Sequence, residues 1–199
     1  MFKSSAVKPR ISRRHFLGAA TAASLISPVG ALAAAPTEHE RWLSFRHIHT
    51  GEKVKALYWA EGQYIPESLG EFDTLLADHR TGDVHPIDTD LLNLLYRLQR
   101  KLDSDRAFHV ISGYRSPATN AKLLANGRGI RKNSLHMRGM AIDVRLPGRD
   151  SGALWHAAIT ERRGGTGFYP KYNFVHMDVG PHWHWCAPSR CQGGKPQPG

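Results

Sequence analysis

The sequence predicts an α+β fold: a small, mainly antiparallel sheet flanked by helices. Three observations carry this expectation. Short stretches alternate apolar and polar residues with period 2, as half-buried strands do. Longer stretches repeat leucines at helical spacing and open with proline or a capping residue. Helices precede and interrupt the short strands, which is the α+β pattern. At 199 residues the chain is expected to hold one main domain with a sizeable core.

The elements follow in order. "RWLSFRHIHTGEKVKALYW" reads as two β-runs around a His-Thr-Gly turn. "PESLGEFDTLLADHR" begins with proline and acids, as a helix does. In "IDTDLLNLLYRLQRKL", Leu91, Leu94, Leu95 and Leu98 mark one helical face, and Asp88 or Thr89 can cap it. "AFHVIS" is a strand ending at Gly113. "SPATNAKLLANG" has Ser116 as N-cap, Pro117 in the first turn and a terminal glycine. A loop, the strand "MAIDVRL", a helix from about Ser151 to Arg163, and the strands "GFY" and "NFVHMDV" complete the order.

Residues 1–33 are not expected to belong to the fold. Paired Arg13 and Arg14, then Phe16-Leu17, a mild apolar run and the small-x-small site Ala31-Leu32-Ala33 form a twin-arginine export signal, cut near Ala33/Ala34. The run is too short and too weak to span a membrane. The mature domain is then expected over 34–185, with a tail over 186–199. The signal takes five of the 27 Lys/Arg residues, leaving 22 against 17 acidic ones, so the net charge falls from +10 to +5. That excess suits a polyanionic wall or anionic surface. With no basic run and no aromatic-basic platform evident in the sequence, nucleic acid is not an expected partner. In an oxidising periplasm Cys186 and Cys191 can close a small loop that pins the tail, with metal binding by the pair the lesser alternative.

The period-2 faces suggest chemistry. In "MAIDVRL", Met140, Ile142, Val144 and Leu146 share one face and Asp143 the other; in "NFVHMDV", Phe174, His176 and Asp178 oppose Val175, Met177 and Val179. If the polar faces coincide, His176 meets Asp143 and His136 drops in from the loop. Two histidines and one carboxylate with a fourth position open form a catalytic zinc set. Taken singly, each residue has a plainer reading. His136 suits a surface loop, Asp143 could pair with Arg145, and His176 could be a satisfied core histidine.

Ser134-Leu135-His136-Met137-Arg138-Gly139-Met140-Ala141-Ile142-Asp143 fits S-x-H-x-x-G-x-A-x-D, and so resembles the M15 zinc D-Ala-D-Ala peptidases, relatives of the lysostaphin and hedgehog type. "HTGE", "LYRLQ", "SGYRS", "GGTGFYP", "NFVHMDVGP" and the final "HW" look more closely like the murein endopeptidase K group. The resemblance implies a periplasmic zinc endopeptidase, with one Zn2+ per chain, that cuts peptide cross-links between peptidoglycan stem peptides; the chain is expected to act as a monomer. A DD-carboxypeptidase and a non-catalytic zinc-dependent wall-binding module are the alternatives. It implies His136, Asp143 and His176 as ligands. It also implies Arg115, beside Tyr114 and with Ser134, as the group gripping substrate through its rigid fork. Many M15 members carry an acid three residues before the last histidine, where this chain has Asn173. Asp178 is then expected as the base, or as an acceptor behind a ligand histidine, with His184 the other proton-transfer candidate. His182 and His184 form an H-x-H pair whose neighbours Trp183 and Trp185 are expected against the core. His47 and His49, a second such pair, are expected near the surface.

Overall fold

The computed structural model describes residues 39–127 and 130–187, all within the compact unit Glu38–Gly199. The export signal, Cys191 and most of the tail lie outside these residues. Among the described residues no helix is long and apolar enough to cross a membrane.

Eight strands form one sheet: β1 (Glu40–His47), β2 (Lys53–Ala60), β3 (Gln63–Tyr64), β4 (Phe108–Ser112), β5 (Ala141–Arg145), β6 (Gly165–Tyr169), β7 (Phe174–Asp178) and β8 (Trp183–Cys186). Their order across the sheet is β3-β2-β1-β4-β5-β7-β6-β8. Only the pairs β1–β4 and β6–β8 are parallel; the rest are antiparallel, as expected. The sheet is larger than the sequence suggested because the short β3 and β8 extend its two edges.

Among the described residues four α-helices accompany it. In α1 (Pro66–Leu75) proline starts the helix, and Phe72 and Leu75 are buried. The expected continuation through residue 80 is instead a loop, folded around Asp78. In α2 (Thr89–Lys101) Asp88 caps the N-terminus by accepting from the Asp90 N–H at 2.9 Å. This helix is buried on more than its leucine stripe. Asn93 also turns inward, where it accepts from Tyr58 Oη and Arg41 Nη1 and donates to Tyr64 Oη. Ser116 caps α3 (Pro117–Ala125) through the Thr119 N–H at 3.2 Å. Asp150 caps α4 (Ser151–Thr160).

The core lies on one face of the sheet and is built from Leu43, Phe45, Phe108, Val110, Ile142, Val144, Val175 and Met177 against Phe72, Leu91, Leu95 and Leu154. The pleat that sends these residues inward sends their neighbours to the opposite face. There the register aligns Asp143 with His176 and His176 with Gly167.

Candidate metal centre

His136 enters from a 3-10 turn, Leu135–Arg138, which ends at Gly139 in the left-handed region (φ 65°). A Cβ at Gly139 would stand 2.1 Å from the Pro86 carbonyl oxygen, so only glycine fits this close turn. The next residues pair into β5 and present Asp143. His176 comes from β7, directly opposite Asp143. One nitrogen or oxygen from each of His136, Asp143 and His176 lies within 4.8 Å of the others.

The hydrogen bonds fix which atoms face inward. His136 Nδ1 lies 2.8 Å from the Gly113 carbonyl, which can only accept, so Nδ1 carries the proton and Nε2 faces the centre. That Nε2 is 3.2 Å from His176 Nδ1 and 3.4 Å from Asp143 Oδ1. His176 Nδ1 lies 2.9 Å from Asp143 Oδ1, while its Nε2 faces Asp178 Oδ2 at 3.3 Å. Each imidazole thus turns one nitrogen to a shared point and the other to an oxygen behind it, as metal-binding histidines do. Burial alone would raise the Asp143 pKa, but His136 and His176 hold it well below the carboxylate range. Burial pushes His136 down. Burial opposes charge on His176 as well, yet its bonds to Asp143 and Asp178 push it above its ordinary value. A proton and a cation therefore compete for His176 Nδ1. Two imidazoles and one carboxylate converging in this way have the donor chemistry of a catalytic zinc site.

Arg115 is 5 % exposed beside the cluster. Its Nη2 donates to Ser112 Oγ at 3.3 Å and stands 3.6 Å from Asp143 Oδ2, while its Nε is buried without a partner. Ser112 reaches this face through an irregularity in β4. Val110 pairs with Val144 on the core face, but after a register shift Ser112 pairs with Asp143. The loop beyond is tied down by Asp78, which accepts from Ser116 N at 2.9 Å and Arg80 N at 3.0 Å.

The other expected residues are placed as follows. Asp178 is buried at the back of the cluster, where Oδ1 accepts from Gly165 N (2.7 Å) and Gly180 N (2.8 Å) and Oδ2 faces His176. Tyr114 precedes Arg115 in the chain, and Ser134 stands at the N-terminus of the turn that carries His136. The Tyr114 ring stacks on His85 at 4.8 Å, and the Ser134 carbonyl accepts from Met137 N at the start of the 3-10 turn. His184 does not join the cluster. It pairs with Thr166, which pairs with Met177 on the core face, and its ring lies 6.5 Å from Trp155 of α4. By the same pleat Trp183 and Trp185 lie on the metal-site face rather than against the core, with Trp185 5.2 Å from His176. His47 is fully buried rather than near the surface, and stands with His49 and His79 in a separate cluster. Asn173 is a turn residue (φ 53°) that accepts from Ser151 Oγ at 2.7 Å, pointing to α4.

The sequence reading assigns no role to Tyr169 and places Trp185 against the core, yet the two meet on the metal-site face. The phenol oxygen of Tyr169 accepts from Trp185 Nε1 at 3.1 Å. Burial chiefly raises the Tyr169 pKa, and its electrostatic surroundings include Asp143, Arg115 and Arg131. Period 2 in "GTGFY" was the available signal, because Gly165, Gly167 and Tyr169 share the face of His176.

Comparison with known proteins gives the family. The family model described as "Peptidoglycan L,D-endopeptidase MepK", of the M15 peptidases, matches residues 35–185. Peptidoglycan L,D-endopeptidase MepK of Escherichia coli (strain K12) is 39% identical over 169 residues, covering 85% of this chain and 93% of its own. Probable peptidoglycan L,D-endopeptidase MepK of Haemophilus influenzae is 39% identical over 161 residues, covering 80% and 87%. The chain belongs to this M15 peptidase family.

Proposed function

We propose that the chain is a periplasmic, zinc-dependent murein endopeptidase, exported by the twin-arginine route and acting as a monomer on peptide cross-links. The convergence of His136 Nε2, Asp143 and His176 Nδ1 beside a buried arginine carries this reading. His136, Asp143 and His176 would hold one zinc ion. Bound there, zinc supplies Lewis acidity, polarising a carbonyl and acidifying water.

The chain's own residues do the rest. Arg115, held by Ser112 and 3.6 Å from Asp143, stands beside the cluster, where its guanidinium would bind the carbonyl oxygen as negative charge develops. Asp178 is assigned to orienting His176 rather than to taking the proton. Two backbone N–H groups occupy its Oδ1 and the imidazole occupies Oδ2, so the carboxylate is already committed. Tyr114 and Ser134, next to Arg115 and His136 in the chain, would contact the substrate beside these two groups. His184 receives no role, given its place against α4.

Asn173 does not argue for a dead enzyme. Its side chain is engaged with Ser151 on the far side of the strand, so an acid there would not reach the metal-site face in this arrangement. The relatives' names further favour a bond between an L- and a D-centre, and among cross-links the 3-3 type has such a bond. Defined dimers joined 3-3 or 4-3, treated with zinc-loaded or chelated protein and analysed by mass spectrometry, test the proposal. Zinc-dependent cleavage of the 3-3 dimer is expected. Release of terminal D-Ala from free pentapeptide alone would favour a carboxypeptidase, and binding to sacculi without any product would favour a wall-binding module.

A further inference from the structure

Beside the metal centre runs a ladder of rings that ends in a cation. The His176 and Trp185 rings are 5.2 Å apart, Trp185 and Trp183 stack at 4.4 Å, and the Arg131 guanidinium sits 4.2 Å over Trp183. The ladder is built into the sheet. Trp183 and Trp185 pair with Gly165 and Gly167 of β6. A Cβ at Gly167 would come within 2.3 Å of the Trp185 ring, and one at Gly165 within 2.8 Å of Trp183 Nε1. The two glycines therefore let both indoles lie close against the sheet. The bond from Trp185 Nε1 to Tyr169 Oη fixes the inner ring.

The outer end is held as well. Asn120, 3 % exposed, donates from Nδ2 to the carbonyls of Arg131 (3.2 Å) and Lys132 (3.3 Å). Arg131 itself is exposed, and among the described residues its guanidinium has no carboxylate partner. A cation over an indole face keeps its N–H edge free for an anion.

We infer that the Trp185–Trp183–Arg131 ladder is a substrate subsite, in which the indoles pack on the stem peptide and Arg131 binds one of its free carboxylates away from the scissile amide. This rests on the endopeptidase reading above. Murein stem peptides suit the ladder because they carry free carboxylates on an otherwise compact chain. Arg115 lies within the cluster itself, so the two arginines divide the work. Arg115 faces the reacting carbonyl, while Arg131 sets register and selects acidic over amidated peptides.

The test is binding of a cleaved stem tripeptide, with its carboxylates free or amidated, to the zinc-loaded full chain by calorimetry. A cleaved peptide is not turned over, so binding is read independently of activity. Arg131→Gln is expected to weaken the free-acid peptide about tenfold, the usual scale for a hydrogen bond to a charged group, and to leave the amidated peptide unchanged. Trp183→Leu removes the seat and is expected to weaken both peptides. Unchanged binding of the acid form by Arg131→Gln, or equal losses on both forms, overturns the carboxylate assignment. Unchanged binding of both peptides by Trp183→Leu overturns the platform. Arg131-dependent binding without cleavage of cross-linked dimers would overturn the endopeptidase reading alone; cleavage without Arg131-dependent binding would overturn only the subsite.

Discussion

Two histidine clusters lie among the described residues of this domain, and they differ in kind. At the end of β1, His47, His49 and His79 gather with ring separations of 5.7, 5.2 and 4.3 Å. In the sheet beyond, His136 and His176 approach at 5.0 Å. Only the second pair encloses a carboxylate. Asp143 stands between its nitrogens, and Asp178 and the Gly113 carbonyl back the two rings. In the first cluster His47 Nδ1 faces the His49 and Thr50 backbone N–H groups, so it accepts, and its Nε2 is buried without a partner. Burial there, with the Arg80 charge, lowers the His79 pKa to about 4. Proximity of imidazoles does not make a metal site. An enclosed carboxylate and outward acceptors that set the tautomers do.

The sharpest way to break this contrast is to remove ligands. His136→Ala, Asp143→Ala or His176→Ala should each reduce zinc from about one ion per chain to near none and abolish cleavage, since catalytic zinc needs three protein ligands. His49→Ala in the other cluster should keep both. Full zinc content in His176→Ala, by metal analysis, would remove β7 from the ligand set.

The backing carboxylate comes next. Asp178→Asn should weaken zinc binding by about 10- to 100-fold, the usual cost of losing a partner behind a ligand histidine. Saturating zinc should then restore most of the cleavage rate. A rate that stays about 100-fold down at full zinc occupancy would instead make Asp178 the proton-transfer group.

Arg115→Lys should retain zinc and fold yet lower turnover about tenfold or more, because a point charge cannot replace a planar donor fork. Wild-type kinetics in that variant would place Arg115 outside the chemistry.

The smallest effect belongs to the carboxylate-poor cluster. Unfolded His79 takes a proton near the ordinary histidine value of 6.5, whereas the folded residue resists protonation to about 4. The unfolded chain therefore binds more protons in that window, and stability falls as pH drops from 6.5 towards 4. Thermal melts of His79→Gln should show a shallower fall across this range than wild type. Parallel curves would mean that His79 carries no such linkage.

The sequence by itself determined much of this protein. Alternation in "MAIDVRL" and "NFVHMDV" placed Asp143, His176 and Asp178 on one side of their strands, because a strand's side chains have no choice but period 2. Asp88, Ser116 and Pro66 marked helix starts by local hydrogen bonding and fixed φ, and those helices begin where expected. What local pattern could not decide is where strands lie relative to one another. The alternation of β8 was visible, but only its parallel pairing with β6 turned Trp183 and Trp185 to the metal side and His184 to α4. The shift in β4 gave Ser112 to Arg115 against its own period, since a bulge reverses the faces of all residues beyond it. His47 was buried by packing against a loop that the sequence read as helix. Register, bulges and loop packing are settled by contacts between distant segments, and those exist only once the chain has folded.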